Sequence, residues 1–176
     1  PTASATGGAI TCLQTNVTIN SATNATTPAY NWSGPGINAG NQTVANPVVG
    51  AQGTYNVTIT NNNNGWTATA TATVTQDNAL PTANAGADQT STCLQPNVTL
   101  NGSGSSGAAP VTFGWTGAGI NAGNQNSQTP GVNQPDTYIL TVTNPANGCF
   151  KKDTVVVDAN VAQPTANAGA DQTLTC

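Results

Sequence analysis

The 176-residue chain has only two Lys or Arg, six Asp or Glu, and no His or Met. All six acids are aspartate, and the two bases are adjacent lysines, Lys151 and Lys152. Without His or Glu, and with no two carboxylates at matched spacing, a general acid–base pair has few candidates. No nucleophile stands beside a plausible base, so the expectation is that the chain is not an enzyme. A weakly negative chain with one short basic dipeptide carries no electrostatic footprint for nucleic acid. No apolar run approaches the length that spans a bilayer, so membrane insertion of this segment is not expected. No signal-peptide pattern opens the chain either, and it reads as mature sequence.

Thr, Asn, Ala and Gly dominate what remains, a composition that raises the question of disorder. Internal repetition argues against it. "TCLQTNVTIN" from Thr11 matches "TCLQPNVTLN" from Thr92. "YNWSGPGINAGNQ" from Tyr30 matches "FGWTGAGINAGNQ" from Phe113, and "GTYNVTITNNNNG" from Gly53 matches "DTYILTVTNPANG" from Asp136. The matches keep their order, which gives two copies, residues 1–80 and 81–163. The closing "PTANAGADQTLTC", residues 164–176, repeats the phrase "PTANAGADQTSTC" that opens copy two. It is expected to be the first strand of a truncated third repeat, which makes the chain a segment of a longer periodic protein. Asn78–Leu80 and Val161–Gln163 read as linkers.

Within each copy the apolar residues alternate. "TYNVTIT" puts Tyr55, Val57 and Ile59 on one face, and "TYILTVT" does the same with Tyr138, Leu140 and Val142. Trp32 and Trp115 sit mid-strand as the largest apolar side chain of each copy, and all eight residues are expected in the cores. "WTATATATVT" alternates Thr with Ala68, Ala70, Ala72 and Val74, a shallow face that its covering must approach closely. Six or seven short strands per copy, with no helical period, predict an all-β fold of tandem immunoglobulin-like β-sandwich domains.

These strings resemble the PKD-like, immunoglobulin-like repeats of secreted proteins, above all the giant surface adhesins of Bacteroidota that include gliding-motility adhesins. "PTANAGADQT", the W-[ST]-G-x-G strand and the T-Y strand carry the resemblance, which covers nearly the whole chain. The acidic "WDFGDG" of the archetypal PKD strand is absent. The resemblance implies an extracellular, cell-surface or secreted location and a structural role. It also implies that "DTV", Asp153–Val155, fits a short O-glycosylation pattern at Thr154.

Four cysteines allow three complete pairings. Cys12, Cys93 and Cys176 share one repeat position and Cys149 holds another, so copy two alone contains both kinds. The expected disulfide is Cys93–Cys149 within that copy. Cys12 and Cys176 are then left as thiols for a next repeat or another molecule, since Trp66 stands in copy one where Cys149 stands in copy two.

Other features read as ordinary surface. "GSGSSG" at Gly102–Gly107 lacks the helix that a dinucleotide fingerprint needs. No cofactor is expected, although Asp77 with Asp88, and Asp158 with Asp171, flank the linkers where Ca²⁺ sits in some tandem sandwiches. The threonine row Thr67–Thr75 is one solvent-facing strand rather than an ice-binding array. An isopeptide bond through Lys151 or Lys152 lacks an evident buried acid. The leading expectation is a structural repeat segment of an extracellular adhesin or filament. Its expected partners are neighbouring repeats of the same protein, other chains in a fibre bridged by Cys12 or Cys176, and a surface glycan or protein ligand. The alternatives are a carbohydrate- or protein-binding module and a spacer of a secreted hydrolase.

Overall fold

Alternating apolar residues produce strands wherever the sequence lets one side chain in two face inward. The computed structural model describes residues 1–108, 110–162 and 164–174 and is all-β, with no helix among the described residues. Copy one contributes β1 (Ala3–Thr6), β2 (Ala9–Thr11), β3 (Val17–Thr18), β4 (Asn20–Thr23), β5 (Pro28–Ser33), β6 (Val48–Val49), β7 (Gly53–Asn61) and β8 (Thr67–Asp77). Copy two contributes β9 (Gln89–Thr92), β10 (Val98–Thr99), β11 (Thr112–Thr116), β12 (Gly131–Val132), β13 (Asp136–Thr143) and β14 (Phe150–Asn160).

One sheet of copy one runs β2-β8-β7-β5, and the β1-β4 and β3-β6 pairs lie outside it. Copy two repeats the plan with β9-β14-β13-β11 and β10-β12. An antiparallel bridge from Thr82 to Ser106 stands where copy one has its β1-β4 pair. In both copies the first strand of the large sheet is parallel to the last: Thr11 pairs with Asp77, and Thr92 with Asn160. That shared register decides the cysteine pairing described below.

The chain divides into two compact units. One comprises Pro1–Thr82 with Ser105–Thr112 and Val142–Lys151; the other comprises Ala83–Gly104, Phe113–Thr141 and Lys152–Cys176. In copy one Trp32, Tyr55, Val57 and Ile59 are buried with Ile10, Val17, Ile19, Val49, Ala72 and Val74. In copy two Trp115, Tyr138, Leu140 and Val142 are likewise buried. Ala3 and Ala5 of β1 pack against this core, and β1 lies close to β8. Where β1 gives way to β2, a Cβ on Gly7 would strike the Thr73 carbonyl, so only glycine lets the chain pass this close.

The repeated Trp-x-Gly and Thr-Tyr motifs serve one local structure, the tyrosine corner of immunoglobulin-like sandwiches. The Tyr55 hydroxyl lies 2.8 Å from the Pro35 carbonyl and 2.6 Å from that of Ala51. The Tyr138 hydroxyl lies 2.9 Å from Ala118 O and 2.7 Å from Gln134 O. Burial pushes both phenols above the ordinary tyrosine value, and at Tyr138 the Asp136 carboxylate adds to the effect. A folded value above the unfolded one means that the contribution is complete below about pH 10 and is lost as pH rises through the folded values. In a Tyr30→Phe variant, which leaves only Tyr55 and Tyr138 of the three tyrosines, alkaline titration is therefore expected to show tyrosinate absorbance rising together with loss of the β-sheet circular dichroism signal. Tyrosinate forming in an intact fold would contradict this account.

Candidate functional site

Among the described residues, the site with the most specific geometry is a turn. Residues 144–149 connect β13 to β14 through the sequence Asn-Pro-Ala-Asn-Gly-Cys. The turn closes on itself, with Asn144 N–H donating to Cys149 O at 2.8 Å and Gly148 N–H to Asn144 O at 2.8 Å. Gly148 holds φ at +71°, where a side chain would be strained, and a Cβ there would strike Leu13.

Asn147 is completely buried, and its amide is fully satisfied. Its Nδ2 donates to Asp77 Oδ1 at 2.9 Å and to Ala79 O at 3.0 Å, while its Oδ1 accepts from Cys149 N–H at 2.9 Å. Leu13 N–H donates to the Asn147 carbonyl at 3.3 Å. Hydrogen bonds from the Asn147 amide and then the Ala79 backbone N–H hold the Asp77 carboxyl below the ordinary aspartate value. This contribution is present above the unfolded aspartate pKa and is lost as pH falls through the folded one. Asn147→Ala removes three hydrogen bonds from a buried position and leaves their partners unmatched. It is expected to destabilise this unit by about 1–3 kcal/mol. A urea midpoint unchanged from the parent would refute that expectation.

Beside Asn147 the turn makes a covalent bond. The disulfide is Cys12–Cys149, with Cα atoms 5.0 Å apart and a sequence separation of 137. It corrects the expected Cys93–Cys149 pairing; Cys93 is an exposed free thiol. The reason lies in strand direction. Cys93 follows Thr92, which pairs with Asn160 at the far end of β14, whereas Cys149 precedes the first residue of that strand. Eleven residues of extended chain separate the two ends by roughly 35 Å, against the ~5.5 Å between Cα atoms that a disulfide requires. Cys12, expected to be a thiol for another repeat or molecule, is bonded inside this chain. Cys176 lies outside the described residues.

The remaining residues singled out from sequence are dispersed. Trp66 is 71% exposed and Phe150 55% exposed. Thr154 faces solvent on β14, between Asp153, whose carboxylate accepts from Ala85 N–H at 2.8 Å, and buried Val155. Asp88 accepts from Val156 N–H at 2.8 Å, so Asp77 and Asp88 each serve protein donors. Asp158 and Asp171 are exposed. Among the described residues no three His, Cys, Asp or Glu side chains converge as a metal site requires. Asn147, the residue sequence reasoning missed, has only its Asn-Gly turn context as a signal. Its counterpart Asn64 is exposed and accepts from Trp66 N–H.

No protein family and no curated protein matches the chain. Among solved structures it is similar to the eight N-terminal Ig domains of Down Syndrome Cell Adhesion Molecule. The TM-score is 0.50 at 13% identity, over 89% of this chain and 27% of that one. It is also similar to extracellular domains 3–5 of Drosophila OTK, with TM-score 0.44 and 16% identity over 89% of this chain and 60% of that one. A third similarity is to three N-terminal domains of the bacteriophage RB49 outer capsid protein Hoc, with TM-score 0.47 and 14% identity over 82% and 54%. The chain thus spans less than two thirds of each. At such identities the likeness concerns fold alone, and the fold is a tandem of immunoglobulin-like β-sandwiches.

Proposed function

We propose that the chain is a structural repeat segment of an extracellular adhesin or filament, a stalk that holds other parts of its protein away from a surface. The observation that carries this reading is the Cys12–Cys149 disulfide. It ties the start of copy one to a turn of copy two, so two sequence repeats, 1–80 and 81–163, share one covalent link. Such a link has little use in a binding site and a direct use in a load-bearing array, where repeats otherwise meet only their neighbours. A disulfide also fits an oxidising, extracellular setting. The Bacteroidota-type adhesin suggested by the sequence resemblance, and an O-glycan on exposed Thr154, belong to this reading.

Immunogold labelling of intact producing cells tests it. Label standing off the envelope on unpermeabilised cells is expected; label that appears only after permeabilisation would sink the proposal. One observation favours a second reading, a carbohydrate-binding module: Trp66 is largely exposed at a loop end. A glycan array with specific hits that vanish in Trp66→Ala would establish that reading instead.

A further inference from the structure

The two copies differ in one respect that bears on partners: the site that receives a turn in copy one is open in copy two. In copy one, Thr11 opens a tight turn in which its N–H donates to Gln14 O at 2.9 Å and its Oγ1 accepts from Gln14 N–H at 3.1 Å. Cys12 and Leu13 lie at the tip of that turn. A recess of about 620 Å³ beside it is lined by Thr11, Leu13, Gln14, Val17 and Thr18, and Ala146 of the 144–149 turn forms part of its wall.

Copy two rebuilds the same features. Thr92 N–H donates to Gln95 O at 3.1 Å, and Gln95 N–H donates to Thr92 Oγ1 at 3.1 Å. Cys93 and Leu94 lie at the tip, and both are exposed, Leu94 almost completely. A recess of about 380 Å³ is lined by the matching residues Leu94, Gln95, Val98 and Thr99. Asn160 stands in the register position of Asp77 and offers an amide oxygen where Asp77 offers a carboxylate.

We infer that Cys93 and its recess are the docking site for the β13–β14-type turn of another copy of this repeat, which closes a Cys93 disulfide equivalent to Cys12–Cys149. The pairing rule is a stagger. The cysteine at the end of the first large-sheet strand of one repeat bonds the turn cysteine of the next, never the one in its own repeat. The incoming turn brings an Asn147 equivalent to the Asn160 amide oxygen and a Gly148 equivalent over Leu94. The chemistry is thiol–disulfide exchange with a small-molecule disulfide as oxidant. The Cys93 thiolate attacks that disulfide and releases one small thiol; the turn cysteine then displaces the second. Two protein thiols lose two electrons, and the two released small thiols carry them with the two protons.

This inference rests on the tandem-repeat reading, and the test separates the two. A second copy of residues 81–163 is inserted after Gln163 of the full chain, and the protein is refolded with glutathione disulfide and digested without reduction. The expected crosslinked peptides join Cys12 to the first Cys149 and Cys93 to the second. Alkylation of Cys93, expected to be complete in the parent chain because the thiol is free and exposed, is expected to be lost. In the same insert, Cys→Ser at the second Cys149 is expected to restore Cys93 labelling with the fold unchanged by circular dichroism. A Cys93 that stays open to alkylation, bonds the turn of its own copy, or joins Cys93 of a second molecule would overturn the inference. If Cys12–Cys149 is intact in that case, the stalk reading survives it; if that bond is missing too, both fall.

Discussion

Pulled from its two ends, the oxidised chain is expected to extend to only about a quarter of the length that the reduced chain reaches. The disulfide joins Cys12 to Cys149, a sequence separation of 137, so the loop between them is bypassed by a link of 5.0 Å between Cα atoms. Only roughly 40 residues lie outside the bridge, which at ~3.5 Å each allows about 140 Å. Reduction frees all 176 residues, or about 600 Å. The bridge also constrains the unfolded chain, and on the chain-entropy account a loop this long stabilises the folded state by about 5 kcal/mol. Cys149→Ser should therefore lower the unfolding midpoint as well as lengthen the force–extension trace. Single-molecule pulling with and without a reductant checks the first effect. Equal lengths in the two conditions would show that the bond does not carry the load. For a stalk, this places a mechanical limit in one covalent bond: force that opens both sandwiches still leaves most of the chain looped.

Gly34→Ala is expected to destabilise copy one by about 2–6 kcal/mol, more than alanine usually costs in a loop. Two effects add. Gly34 holds φ at +148°, a conformation L side chains rarely adopt, and that costs about 1–3 kcal/mol. Its Cβ would also lie 2.6 Å from Cδ1 of the Tyr55 ring, which is fully buried and pinned through its hydroxyl, an overpacking penalty of about 1–3 kcal/mol. Gly36→Ala is the control. Gly36 has φ +73° and open space around its Cβ position, so only a backbone cost of about 1–2 kcal/mol applies. Denaturant midpoints of the two variants decide the point, since equal losses would remove the ring contact from the explanation. Gly117 holds the same place beneath Tyr138, so copy two should respond alike.

Burial alternation and repetition made most of the architecture legible. "TYNVTIT" and "TYILTVT" display their buried faces openly, because a half-buried strand must alternate whatever surrounds it. Trp32 and Trp115 are recognisable as core because each is the largest apolar group in a strand. The tyrosine corner was only half visible. The motifs W-x-G and T-Y are plain in both copies, but nothing in a string of letters says that the glycine lies against the tyrosine ring 21 residues later.

The sequence by itself determined the all-β class, the repeated strand motifs and the core residues that alternate along them. The tertiary structure alone decided which cysteines meet. Counting cysteines per copy led to Cys93–Cys149, because composition has no direction. The parallel pairing of β9 with the end of β14 puts those two at opposite ends of a strand. The same polarity brings the turn of copy two to Cys12 and makes Asn147, an ordinary turn residue in sequence, the buried centre of the contact. Pairing between distant residues depends on which end of a strand each occupies, and that is a property of the sheet rather than of any local segment.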